Sequence, residues 1–164
     1  MAHLALPNSE VHVGVAFDDA SWLRAFAAEP RGRVAVLFPG GAPWDAATHD
    51  APAPHTVIVP DGTWTQARKL LSRNPLLGGF PRIGIAPTRA SGYRIRREPA
   101  ASCRSTIEAV AELLGQVEGD PDRFLPLLDP FRQIVERQLA YATVRPHWHV
   151  RKRRRQALER VTPP

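Results

Sequence analysis

The chain has 164 residues and a formal net charge of +6, long enough for one domain to bury roughly 70% of its unfolded surface without help from disulfides or metal. Cys103 is the only cysteine, which excludes an intramolecular disulfide and a multi-thiolate zinc site and suits a reducing compartment. No apolar run approaches the ~20 residues of a membrane span, and Met1-Ala2-His3-Leu4 lacks the cationic start of a signal peptide; a cytoplasmic protein with no membrane partner is expected.

Val11 to Ala16 reads as a strand, and Asp19 to Ala27 as a helix capped by Asp19 with Trp22, Leu23 and Phe26 turned inward. Arg33 to Phe38 alternates too little for a surface strand and is expected to be parallel and covered on both faces. It stops at Pro39-Gly40-Gly41, which can bring bare backbone close to a ligand. Residues 42–55, with Pro43, Pro52 and Pro54, read as loop with at most a short helix.

A second buried strand, Thr56-Val57-Ile58-Val59, runs into Pro60-Asp61-Gly62-Thr63-Trp64 and then a helix to about Arg73. Trp64, Ala67 and Leu71 share one face of it, and Thr63 with Gln66 forms a capping box. After a turn at Asn74-Pro75, Arg82 to Ile85 predicts a short strand. Tyr93-Arg94-Ile95-Arg96 predicts another, its arginines alternating with apolar residues as on a strand with one wet face.

Ser105 and Glu108 make a second capping box, opening a helix with Ile107, Val110, Ala111, Leu114 and Val117 at helical spacing and Gly115 and Gly119 at its close. Asp129-Pro130 starts a last helix through Phe131, Ile134, Val135 and Leu139. Strands alternating with helices point to a three-layer α/β domain with a mostly parallel sheet. We place it at residues 1–145, followed by a basic C-terminal tail at 146–164.

Charge is divided sharply along the chain. Residues 68–104 hold nine Lys/Arg against one Asp/Glu, and residues 145–164 hold seven against one, whereas residues 1–67 and 105–144 each hold three against seven. The first block, with Arg68, Lys69, Arg82, Arg89, Arg94, Arg96 and Arg97, is a candidate face for a phosphate backbone. The second, Arg151-Lys152-Arg153-Arg154-Arg155, is either a nucleic-acid contact or a solvated tail.

A carboxylate at the C-terminal lip of a strand, beside a helix N-terminus, sits where open α/β folds keep their chemistry. Asp61 occupies that place and is the candidate general base; complementing the helix dipole is its alternative role. Trp64 also reads as a core anchor, Tyr93 as a core ring or a stacking surface, and Glu108 as a second candidate base or a cap. Ser105 and Thr106 can offer helix N-terminal N–H groups to a carboxylate, and Arg94 and Arg96, on one face of the expected strand, can meet the same anion or RNA phosphate. The six histidines form no convincing metal set, so no metal is expected.

Asp61-Gly62-Thr63-Trp64, together with Tyr93-Arg94-Ile95-Arg96-Arg97-Glu98-Pro99 and Ser105-Thr106-Ile107-Glu108-Ala109, resembles the DTW-domain family in both motifs and their order. Asn8-Ser9 and Leu37-Phe38-Pro39-Gly40 are weaker matches, and the resemblance covers roughly residues 5–140. It implies a branch of the knotted SPOUT-like RNA-modifying enzymes, with a C-terminal trefoil knot and S-adenosylmethionine as cofactor. It also implies tRNA as partner and transfer of a 3-amino-3-carboxypropyl group to N3 of a tRNA uridine. Carried over residue by residue, the cofactor loops would be Phe38, Pro39 and Gly40, then Pro60, Gly62, Thr63 and Trp64 around Asp61, and then Tyr93, Arg94, Arg96, Ser105, Thr106 and Glu108. Arg68, Lys69, Arg89, Arg97 and residues 151–155 would serve the RNA.

Many bacterial members begin with a cysteine cluster that resembles a zinc ribbon, and this sequence lacks one. That puts the ribbon's share of tRNA binding in doubt, with the basic tail as a substitute. A methyltransferase of the same knotted class and a non-catalytic RNA-binding module are the alternative readings. A monomer is expected, with a homodimer as the other arrangement.

Overall fold

The computed structural model describes residues 2–43, 53–95 and 103–144, with side chains through Tyr141. In chain order the elements are α1 (Ala2–Ala5), α2 (Ser21–Ala27), β1 (Val34–Pro43), β2 (Thr56–Ile58), α3 (Trp64–Arg73), α4 (Pro75–Gly78), β3 (Arg82–Gly84), α5 (Thr106–Glu118), a 3-10 turn (Leu125–Leu128) and α6 (Asp129–Val144). The basic segments Arg96-Arg97 and 151–155 lie outside the described residues.

The three strands form one parallel sheet in the order β2-β1-β3. The parallel arrangement expected for the Val34 strand follows from its nearly unbroken apolar run, because alternate residues must be buried on opposite faces. Ala35 and Leu37 point into a cluster with Ile83 of β3 and Val110 and Leu113 of α5. Val36 points the other way, against Leu23 of α2, Leu71 of α3 and Leu77 of α4. Helices thus cover both faces. A third cluster, Ile107, Phe131 and Val135, joins α5 to α6.

Leu37 and Ala42 both register against Ile83, so Phe38-Pro39-Gly40-Gly41 forms an excursion between two stretches of β1 pairing. Glycine is required at its far end: a Cβ on Gly41 would lie 2.6 Å from the Arg82 carbonyl oxygen.

Two expected strands are absent. Val11 to Ala16 runs outside the sheet as a strap, and its C-terminal end is held by a side chain. Asn74, 1% exposed, accepts from Phe17 N at 2.5 Å and donates to Val15 O and Leu70 O at 3.1 and 2.8 Å. Tyr93 to Ile95 also lies outside any strand. Its alternation is real, but Tyr93 and Ile95 pack into the α5–α6 cluster while Arg94 pairs with Glu136 of α6. The dry face belongs to helices, and Arg94 turns to α6 instead of standing on a strand face. Asp19 likewise gives up its expected capping role: α2 starts after Ala20, and Asp19 instead pairs with Arg24 at 2.6 Å.

Candidate functional site

Because β1 and β2 are parallel, with Val36 opposite Ile58, the Phe38-Pro39-Gly40 excursion within β1 and the Pro60 to Trp64 segment after β2 both lie beyond that pair, toward the C-terminal ends of the strands, the usual place for a site in a parallel α/β sheet. At Gly62 the backbone turns through φ +146°, which favours glycine, and the turn delivers Thr63 to the start of α3. There Gln66 N donates to Thr63 Oγ1 at 3.3 Å and Thr63 N donates to Gln66 Oε1 at 2.8 Å, completing the expected capping box. Asp61 stands exposed just ahead of this cap.

The second motif arrives from across the molecule. Thr106 Oγ1, at the first position of α5, donates to Asp61 Oδ1 at 2.7 Å. One hydrogen bond thus joins the Asp61-Gly62-Thr63-Trp64 turn to the Ser105-Thr106 helix start. Among the described residues, Thr106 is the hydrogen-bond partner of Asp61.

Glu108 is 5% exposed and acts as a clamp beneath that helix start. Its Oε2 accepts from Ser105 N at 2.9 Å and Ser105 Oγ at 2.7 Å, and its Oε1 accepts from Gly92 N at 2.6 Å. Ser91 Oγ bridges both oxygens at 3.2 and 3.0 Å. Four donor groups occupy this carboxylate, so it fixes the 91–92 segment to α5 and has little capacity left for proton transfer.

The remaining expected site residues separate into groups. Tyr93 lies 5.7 Å from Phe131, ring centre to ring centre, in the helical cluster, and Arg94 is tied to Glu136. Arg89 pairs with Asp122 and donates to Pro121 O. Arg68 and Lys69 are exposed on α3. Phe38 is half-buried, with the Arg82 guanidinium 5.5 Å above its ring.

Arg104 is a residue that sequence reasoning missed: it is buried just before α5, donating to Cys103 O and Arg89 O and facing Glu112 at 3.4 Å. Burial pushes the Glu112 carboxyl above its ordinary range, more strongly than the nearby Arg104 charge pulls it down. Nothing in the sequence separates Arg104 from the solvated arginines around it. Glu112, one turn beyond Glu108 on the same helix face, carried a faint signal.

The DTW domain model matches residues 1–139. The chain belongs to the DTW-domain family. This DTW domain is 30% identical over 106 residues to the Drosophila melanogaster protein named tRNA-uridine aminocarboxypropyltransferase 2, covering 63% of the chain and 42% of that relative. It is 31% identical over 109 residues to the Macaca fascicularis protein of the same name, covering 65% and 37%. The chain therefore spans about two fifths of the length of the curated relatives it matches. No solved structure matches it. Among the described residues, no helix is long and apolar enough to cross a membrane, and no group of His, Cys, Asp or Glu could hold a metal ion.

Proposed function

We propose that this DTW domain transfers a 3-amino-3-carboxypropyl group from S-adenosylmethionine to N3 of a tRNA uridine, and that its chain forms the SPOUT-like trefoil knot of the related enzymes. The observation that carries the reading is the 2.7 Å contact from Thr106 to Asp61, which brings the two family motifs to one point at the sheet's C-terminal lip.

The residues at that point suit the cofactor. Gly40, at φ +91°, has open space where a side chain would stand, so backbone can approach a ligand there. The first turn of α5 presents N–H groups suited to the methionine carboxylate, beside the turn formed by Pro60 and Gly62. When bound, S-adenosylmethionine supplies an electrophilic methylene carbon, so that the aminocarboxypropyl group moves to nitrogen and 5'-methylthioadenosine leaves with the electron pair of the broken C–S bond.

The protein's own part is positioning and proton removal. The imide N3–H of uridine is weakly acidic, and the nitrogen becomes an effective nucleophile once the proton is gone. Thr106 holds Oδ1 of Asp61, leaving Oδ2 to take that proton as general base. Thr63, Trp64 and the capping box fix the height of the carboxylate, while Glu108 fixes Ser105 and Thr106. Which carbon faces the nucleophile in line decides between aminocarboxypropyl and methyl transfer, so placement rather than a separate catalytic group selects the reaction.

Mass spectrometry of tRNA nucleosides after incubation with the protein and S-adenosylmethionine tests this. An aminocarboxypropyl mass on uridine is expected. An added methyl mass would replace the reading with methyl transfer, and no added mass with tRNA bound would replace it with a binding module.

A further inference from the structure

Of the nine Lys/Arg between residues 68 and 104, seven are described, and their surroundings differ. Arg89, Arg94 and Arg104 are held by Asp122, Glu136 and Glu112. Arg68, Lys69, Arg73 and Arg82 have no ion-pair partner among the described residues. Two of these four, Arg68 and Arg82, border one open depression of about 600 Å³, together with Phe38, Leu71, Ser72 and Gly78, and among the described residues no carboxylate lines it.

We propose that this depression seats the tRNA backbone beside the target nucleotide, with Arg68 and Arg82 on its phosphates; the proposal rests on tRNA being the substrate. Its position supports that occupant. Arg68 lies one turn, about 6 Å, along α3 from Trp64, on the helix that follows the Asp61 turn, and Phe38 opens the excursion toward the same sheet end as Pro60. A strand laid over Arg68 is thus led toward the carboxylate.

Charge and shape favour a polyanion over a small anion. The depression is wide and exposed, and among the described residues no buried polar side chain lines it to enclose a single ion. Each phosphate that meets a guanidinium along a strand releases counterions, so open cationic surface gains affinity only from a polymer. The Phe38 ring beneath Arg82 supports that guanidinium before RNA arrives, which lowers the ordering cost of binding. Neither Asp61 to Trp64 nor Tyr93 to Ala109 includes Arg68 or Arg82, and the charge pattern treats every arginine of the block alike; only the fold separates the cations that are paired among the described residues from those that are not.

The test is tRNA affinity against salt for the wild type, Arg68→Gln, Arg82→Gln and the double variant, with Arg132→Gln, whose arginine pairs with Asp129 at 3.0 Å on α6, as the control and S-adenosylmethionine binding checked in each. The slope of log affinity against log salt should shrink by about 0.7–0.9 for each arginine removed. It should stay at the wild-type value in Arg132→Gln, and cofactor affinity should hold throughout. Should Arg82→Gln lose its fold with the Phe38 contact, exposed Arg68→Gln reads the same surface alone. A wild-type slope in Arg68→Gln and the double variant overturns the proposal, as does a wild type that binds no tRNA or binds phosphatidylserine vesicles in preference to it. If the slopes shrink as expected while nucleoside analysis finds no aminocarboxypropyl product, the surface stands and the transfer reaction falls.

Discussion

Thr106 and Asp61 are 45 residues apart in sequence and 2.7 Å apart as donor and acceptor. The bond ties the N-terminal turn of α5 to the turn that follows β2. A carboxylate at a strand end is free to swing; this one is held at one oxygen and, among the described residues, open at the other.

Asp61→Asn keeps the side chain's shape and removes its charge. With Asp61 as general base, single-turnover product formation should fall by roughly 10²-fold or more while S-adenosylmethionine binding changes little. If the carboxylate only complements the helix dipole, the variant should instead lose about 0.3–1 kcal/mol of stability and react at the normal rate. Rate and melting temperature measured on one preparation separate the two.

Thr106→Val preserves shape and volume but cannot donate to Asp61. A positioning role predicts a turnover loss of roughly 10-fold, since a loosened base spends less time in line with its proton. Thr106→Ser should restore most of that activity. Equal rates for valine and threonine would show that the 2.7 Å bond has no part in the chemistry.

Glu108→Gln replaces one acceptor oxygen with an N–H₂ group facing donors. Since Ser91, Gly92 and Ser105 all donate to this side chain, a loss on the order of 2–3 kcal/mol is expected from the donors left unpaired. Urea titration should show a lower midpoint with an unchanged slope. A midpoint equal to that of the wild type would mean that water replaces the clamp.

Glu112 gives a pH dependence whose sign follows from burial. Its folded-state pKa lies above the ordinary value because burial outweighs Arg104, and its Oε2 has no hydrogen-bond partner among the described residues. As pH rises, the unfolded chain therefore gives up this proton first. The stabilisation is fully present below the unfolded value and is lost as pH climbs through the raised folded value. Thermal melts of wild type and Glu112→Gln between about pH 4 and about pH 7 should show the difference moving in favour of glutamine as pH increases. A difference that stays constant would contradict the raised value.

Both helix starts were legible in the sequence because capping is local. Thr63 with Gln66 and Ser105 with Glu108 are each three residues apart, and no distant contact is needed to recognise them. The parallel strand at Val34 was legible too, since burial on both faces leaves an apolar run that few other settings tolerate. Alternation at Tyr93-Arg94-Ile95 correctly reported one dry face. It carried no information about whether strand or helix would dry it, because period two describes the segment and not its partner.

The tertiary structure alone decided which polar groups meet. Asn74 binding the Val11–Ala16 strap, Arg104 buried against Glu112, and Thr106 reaching Asp61 all depend on chain segments brought together by the packing of the sheet and helices. The sequence determined where a carboxylate would stand at the end of a strand and how its helix would be capped. Packing decided what holds that carboxylate and which arginines stay free, because hydrogen bonds and ion pairs act over a few ångströms of space whatever the distance along the chain.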